Sequence, residues 1–137
     1  MDNGTPTKVL LIDEDKSMCE TLKLVLEPQA FEIYEANSGL EGIEMTKRLD
    51  PEVVILDLLM KDIDGWEVSR AIRSFSQVPI LVLSAISKPE IVAQALDEGV
   101  DEYLIKPVQS TVLIAHLRRL ARRARAEREA GQISLET

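Results

Sequence analysis

Carboxylates, a hydroxyl and an ammonium lie far apart along this chain, each just past the end of a short apolar run. Val9–Ile12 leads into Asp13 and Glu14, and Val53–Leu56 into Asp57. Ile80–Leu83 leads into Ser84, and Tyr103–Ile105 into Lys106. Clustered carboxylate oxygens with no histidine or cysteine among them favour a hard divalent ion, Mg²⁺ or Mn²⁺, over zinc. Carboxylates packed closely repel one another, and a cation relieves that repulsion. Asp57 differs from the other acids because Leu56, Leu58, Leu59 and Met60 flank it. A carboxylate so placed, beside a cation, is a reasonable nucleophile toward a phosphoryl group. Lys106 and Ser84 could then neutralise and bind oxygens of the group in transfer. Any one of these acids alone reads as a helix cap or loop residue. The set, at strand ends, points to chemistry.

What must position them is a sheet. Short, continuous, β-branched runs read as strands buried on both faces, as in parallel sheets. In such sheets the C-terminal strand ends share one edge, where ligands of open α/β folds bind. Phe31–Glu35 alternates apolar and polar residues, which predicts a more exposed strand at an edge. Helical spacing appears between the strands. Lys16–Glu27 carries Met18, Leu22, Val25 and Leu26, and Pro28 stops it. Ser38-Gly39-Leu40-Glu41 has capping-box spacing and opens a helix to about Arg48, and Asp64 opens another to about Ser74. Ser87-Lys88-Pro89-Glu90 reads as a further capping box, with Gly99 at the C′ position of its helix. The last helix begins near Gln109 with Leu113, Leu117, Leu120 and Ala124 on one stripe. Five β-α units in strict alternation predict a doubly wound parallel sheet with helices on both faces. The Lys106-Pro107 bond permits either isomer, a cis turn being one way to aim the lysine inward.

Bulk properties narrow the function. The 137 residues make one domain by length, and no apolar stretch approaches the roughly 20 residues of a membrane span. The first residues show no basic patch followed by an apolar stretch, which predicts no secretory signal. Cys19 is the only cysteine, which excludes an internal disulfide and a cysteine metal site and suits a reducing cytoplasm. Residues 1–107 hold 10 Lys and Arg against 21 Asp and Glu, a charge of −11, while residues 108–137 hold 6 against 3. The acidic body argues against nucleic acid binding by the domain itself.

These pieces, in this order, resemble the receiver domain of two-component response regulators over residues 8 to about 125. The matching segments are Val9–Asp15, Asp57–Met60 with Asp64-Gly65 following, Ser84-Ala85, and Tyr103–Pro107. The resemblance implies a flavodoxin-like (βα)5 fold with strand order 2-1-3-4-5. Residues 1–7 are then expected as a disordered N-terminus and 126–137 as a helical extension fading to a flexible tail. By the same likeness Asp57 takes a phosphoryl group from the phosphohistidine of a histidine kinase or phosphotransfer protein. Asp13, Glu14, Asp57 and the Leu59 backbone carbonyl would hold Mg²⁺, or Mn²⁺ in its place. Lys106 would contact a phosphoryl oxygen, Ser84 would move toward the phosphate, and Tyr103 would swing inward behind it. The face formed by the fourth helix, fifth strand and fifth helix would then change shape for an effector or output domain. Such a chain is a cytoplasmic switch that promotes its own phosphotransfer and slow dephosphorylation, rather than an enzyme acting on separate substrates.

Several positions depart from the pattern. Glu14 stands where a second aspartate is common, Lys61 where proline is usual, Ser84 for threonine, and Val108 for an aromatic. Leu59 and Ile86 are apolar where the family often places groups that orient the hydrolytic water, which predicts a long-lived phosphate. Two other functions compete. An aspartate-nucleophile phosphohydrolase would need a general acid at position 59, where leucine stands. A receiver-like interaction module that is never phosphorylated would have no need of Asp57, Ser84 and Lys106 together.

His116 and Trp66 read as a boundary residue and a packing residue. The arginines at 118, 119, 122, 123, 125 and 128 read first as a solvated helix face. A homodimerising or domain-linking helix is the second reading, and contact with nucleic acid or membrane is disfavoured. No output module fits after the body, so the chain is expected to be a stand-alone receiver or a piece of a longer regulator.

Overall fold

Five stretches form strands in the computed structural model, which describes residues 4–136 and side chains as far as Gly131. They are β1 (Thr7–Ile12), β2 (Phe31–Ala36), β3 (Val53–Leu56), β4 (Ile80–Ser84) and β5 (Glu102–Ile105). All pair in parallel, in the order β2-β1-β3-β4-β5. The connections are α1 (Lys16–Leu26), α2 (Gly39–Leu49), α3 (Gly65–Arg73) and α4 (Pro89–Asp97), and α5 (Ser110–Glu136) follows β5. This is the flavodoxin-like arrangement expected from the sequence, with β2 at an edge.

The pleat explains why the central strands are apolar throughout. Successive side chains point to opposite faces, so Val9 and Leu11 pack with Leu22 and Leu26 of α1 and Leu113 and Leu117 of α5. Leu10 and Ile12 enter the other layer, with Val68 and Ile72 of α3 and Ala95 of α4. Every residue of β3 is fully buried. Truncating such a residue, Leu10 for example, typically costs about 2–5 kcal/mol.

Helix ends follow local chemistry. Ser38 Oγ accepts the Glu41 amide at 3.1 Å, and Asp64 Oδ1 accepts the Glu67 amide at 2.9 Å, as the capping spacing predicts. α1 ends at Leu26 and Pro28 sits in a short 3₁₀ turn, Glu27–Gln29. The Ser87 capping box does not form. Lys88 is the N-cap, with no side-chain hydrogen bond, and Pro89 occupies the first helical position. Proline presets that position and pushes the residue before it into extended backbone, so Lys88, at ψ 127°, becomes the last non-helical residue. β1 takes in Thr7, assigned above to a disordered segment, because its amide donates to the Ala30 carbonyl at 2.9 Å. Residues 1–3 of that segment and Thr137 of the expected tail lie outside the described residues. α5 runs unbroken from Ser110 into the expected extension.

The arginines of α5 are not simply solvated. Arg119 pairs with Glu102, Arg123 with Asp101, Arg125 with Glu52 and Arg128 with Asp50. These acids lie at or just before the beginnings of β3 and β5, so the helix is fastened to the sheet end away from Asp57. Among the described residues, no helix is long and apolar enough to cross a membrane.

Candidate functional site

Sheet pairing carries one residue beyond the strands and sets the site. The Asp13 amide donates to the Ala36 carbonyl at 3.0 Å, and the Asp57 amide to the Ile12 carbonyl at 3.0 Å. The Lys106 amide donates to the Ser84 carbonyl at 2.9 Å. Asp13 and Asp57 therefore sit on neighbouring strands, with Ser84 and Lys106 on the next two. Lys106 is long enough to reach back across β4. Its Nζ stands 3.3 Å from Asp13 Oδ2 and 3.4 Å from Asp57 Oδ2. The Lys106-Pro107 peptide is cis.

Both carboxylates are fixed by backbone. Asp13 Oδ1 accepts the Asp15 amide at 2.9 Å, and Asp57 Oδ1 accepts the Leu59 amide at 3.2 Å. Gly65 brings α3 beneath this loop, its amide donating to the Leu58 carbonyl at 3.1 Å. A Cβ there would lie 2.6 Å from Leu58 Cα and 2.9 Å from the Asp57 carbonyl oxygen. Only glycine allows that approach.

Electrostatics follow from burial and pairing. Burial pushes the Asp13 carboxyl above its ordinary value, against the Asp15 amide and the Lys106 charge, and the neighbouring Asp57 charge adds to the rise. For Lys106, burial favours losing the proton, but the Asp57 and Asp13 charges prevail and hold it above the ordinary lysine value. Two acids face one ammonium, which leaves negative charge uncompensated. Carboxylate oxygens keep lone pairs beyond their bonds to the backbone amides and Lys106, so the donor set fits a hard divalent ion.

Glu14 is placed otherwise. Its Oε2 accepts the Lys61 amide at 3.0 Å. Among the described residues, no three His, Cys, Asp or Glu side chains gather into a ready cage for a metal. Asp15, the other acid of the first loop, caps α1 by accepting the Met18 amide at 3.1 Å. Leu59 is 55% exposed, and its backbone lies on the loop that carries Asp57.

Ser84 is fully buried, and its Oγ accepts the Ile86 amide at 3.2 Å. Tyr103 is half-buried against the second core layer, and its hydroxyl donates to the Ile86 carbonyl at 2.7 Å. Burial raises its phenol, a Ser84 hydrogen bond works against that, and the Asp57 charge adds to it.

Residue type did not flag three contributors. Asn37 Nδ2 donates to the Asp13 carbonyl at 3.1 Å, and Asp62 accepts the Gly39 and Leu40 amides at 3.0 and 2.9 Å. The Lys61 contribution is a backbone amide, which no side chain announces. Cys19 lies behind Asp13, its Sγ 3.6 Å from the Asp13 carbonyl. Its thiol is pushed up to about 12 by burial and by the Glu35 and Asp13 charges, which leaves it inert. His116 pairs with Glu102, and Trp66 packs half-buried on the second core layer. Shape alone would point elsewhere, since a cavity of about 460 Å³ lined by Thr7, Phe31, Ala121 and Arg122 opens at the opposite end of the sheet. The acidic rim is marked by its chemistry.

Comparison with known proteins agrees with this fold. The response regulator receiver domain family matches residues 9–118. The chain is 37% identical over 119 residues to the transcriptional regulatory protein AfsQ1 of Streptomyces coelicolor, covering 87% of this chain and 53% of that one. It is 35% identical over 119 residues to the cell cycle response regulator CtrA of Brucella ovis, covering 86% and 51%. A solved two-component response regulator from Clostridium difficile superposes with a TM-score of 0.82 at 33% identity, covering 85% of this chain and 97% of that one. The chain spans about half the length of the curated relatives it matches.

Proposed function

Because this chain belongs to the response regulator receiver domain family, we propose that it is a phosphorylation switch whose acceptor is Asp57. One observation carries the reading. The Lys106 ammonium lies within 3.4 Å of both the Asp13 and the Asp57 carboxylates at the C-terminal edge of the sheet.

The transfer balances simply. An Asp57 carboxylate oxygen attacks the phosphorus of a phosphohistidine on a kinase or phosphotransfer protein. The new O–P bond forms as the P–N bond breaks, and the electron pair leaves with the imidazole nitrogen. Lys106 donates to a phosphoryl oxygen, and the Ser84 hydroxyl donates to another once it turns from the Ile86 amide. Asp13, Asp57 and the Leu59 carbonyl would hold Mg²⁺ or Mn²⁺, and Glu14 is the remaining candidate. When bound, the ion supplies positive charge that offsets the equatorial oxygens of the group in transfer.

Drawing Ser84 toward the phosphate would free the Ile86 segment, to which Tyr103 is bonded. Phosphorylation thereby biases two packings of the β4–α4 segment. The surface of α4, β5 and α5 would carry the change to an effector or output domain, with a homodimer through α5 as one form of that output. We place the protein in the cytoplasm, where phosphohistidine donors act. It is a stoichiometric acceptor that promotes its own phosphorylation and slow dephosphorylation. A phosphohydrolase is disfavoured by Leu59, which offers no proton to a leaving group.

Mass spectrometry tests this. Incubation with Mg²⁺ and acetyl phosphate should add one phosphoryl group to the chain, and Asp57→Asn should abolish the addition. Steady release of phosphate from esters, or unchanged labelling in Asp57→Asn, would overturn the assignment.

A further inference from the structure

We infer that the Lys61 backbone amide holds Glu14 away from the cation position, so that the loop after Asp57 and a divalent ion compete for one carboxylate. The inference rests on the reading of the acidic rim as a cation site and adds a control element to it.

The loop from Leu58 to Asp64 is tied down at separate points. The Leu59 amide donates to Asp57 Oδ1, and the Lys61 amide to Glu14 Oε2 at 3.0 Å. The two carboxylate oxygens of Asp62 accept the first amides of α2, from Gly39 and Leu40. Asp62 titrates below its ordinary value because those amides outweigh the effect of burial. Lys61 is thus held by an acid of the β1–α1 loop while its neighbour anchors the same loop to α2.

Glu14 makes this contact through its length and its charge. A glutamate is one methylene longer than an aspartate, and an ionised carboxylate is a stronger acceptor than a neutral group. The contact also needs an N–H at residue 61, which any residue but proline supplies. The outcome is a rim in which Asp13 and Asp57 converge on Lys106 while Glu14 is turned to the loop. An ion that draws Glu14 Oε2 to itself must break the Lys61 contact, and a loop that keeps the contact holds that oxygen from the ion. Cation affinity and order of the Asp57 loop are therefore opposed.

Calorimetric titration of the full chain with MgCl₂, without any phosphodonor, tests this directly. Lys61→Pro, which deletes the N–H, should tighten Mg²⁺ binding about five-fold, the weight of one modest hydrogen bond. Lys61→Ala, which keeps the N–H, should bind as the parent does. In a Glu14→Ala background the effect of Lys61→Pro should vanish. A second measurement does not depend on how the proline variant folds. Amide exchange at Lys61 should be slow without Mg²⁺ and accelerate on saturation with the ion. Binding that needs Asp57 but ignores Lys61→Pro, with Lys61 protection kept in Mg²⁺, would overturn this competition alone. Binding indifferent to Asp57→Asn would remove the cation site and both readings with it.

Discussion

The Tyr103 hydroxyl donates to the Ile86 carbonyl at 2.7 Å, and the amide of the same residue donates to Ser84 Oγ. One peptide segment thus connects the proposed switch hydroxyl to the aromatic ring behind it. Tyr103→Phe removes the partly buried hydrogen bond to the Ile86 carbonyl, so stability should fall by only about 1 kcal/mol. Acetyl phosphate labelling of Asp57 should persist, while amide exchange across Ala85–Lys88 accelerates. Unchanged exchange in that segment would separate Tyr103 from Ser84.

Gly65 marks the closest backbone approach beneath the acceptor. Gly65→Ala would put a methyl against Leu58 Cα and the Asp57 carbonyl, both backbone, so neither can yield cheaply. A cost of about 1–3 kcal/mol is expected, read as a lower urea midpoint together with slower Asp57 labelling. Gly131→Ala is the counterpart. It meets nothing within 4 Å and should stabilise α5 by a few tenths of a kcal/mol to about 1.

Acid sensitivity should come partly from Glu52. Burial favours its neutral form, but the Arg125 hydrogen bond, the Lys8 amide and the Arg125 and Arg128 charges prevail and hold it below its ordinary 4.5. A carboxyl depressed in the folded chain contributes stability above its unfolded value and loses it as pH falls through the folded one. Urea midpoints should therefore drop on the acid side of about pH 4.5, and Glu52→Gln should flatten that limb. Arg125→Ala leaves the carboxylate buried without its partner and should cost about 2 kcal/mol at neutral pH.

The phosphoryl lifetime provides a fourth check. By the receiver pattern, Leu59 and Ile86 would set apolar side chains where a water needs orientation, and Leu59 is exposed. Labelled protein should decay with a half-life of many minutes, and Leu59→Asn should shorten that time. Decay within a few seconds in the parent chain would contradict the role given to Leu59.

The fold was legible because parallel pairing demands it. Strands covered on both faces must be apolar throughout, and the polar residue after each run must then lie on the common rim. Asp13, Asp57, Ser84 and Lys106 were readable for that reason. Glu14 was harder to place, because its partner is a peptide amide 47 residues away that carries no residue-type signal. Ser87 had capping spacing, but Pro89 decided where α4 begins. The arginines of α5 resembled a solvated face because Asp50, Glu52, Asp101 and Glu102 approach them only after the sheet has formed.

β3 has only four residues between Glu52 and Asp57. The arginine-gripped acid and the acceptor are therefore opposite tips of one stiff bar about 16 Å long. Both faces of that strand are covered, with Val53 through Leu56 fully buried. The final helix, through Arg125, and the acceptor thus hold the two ends of a single strand.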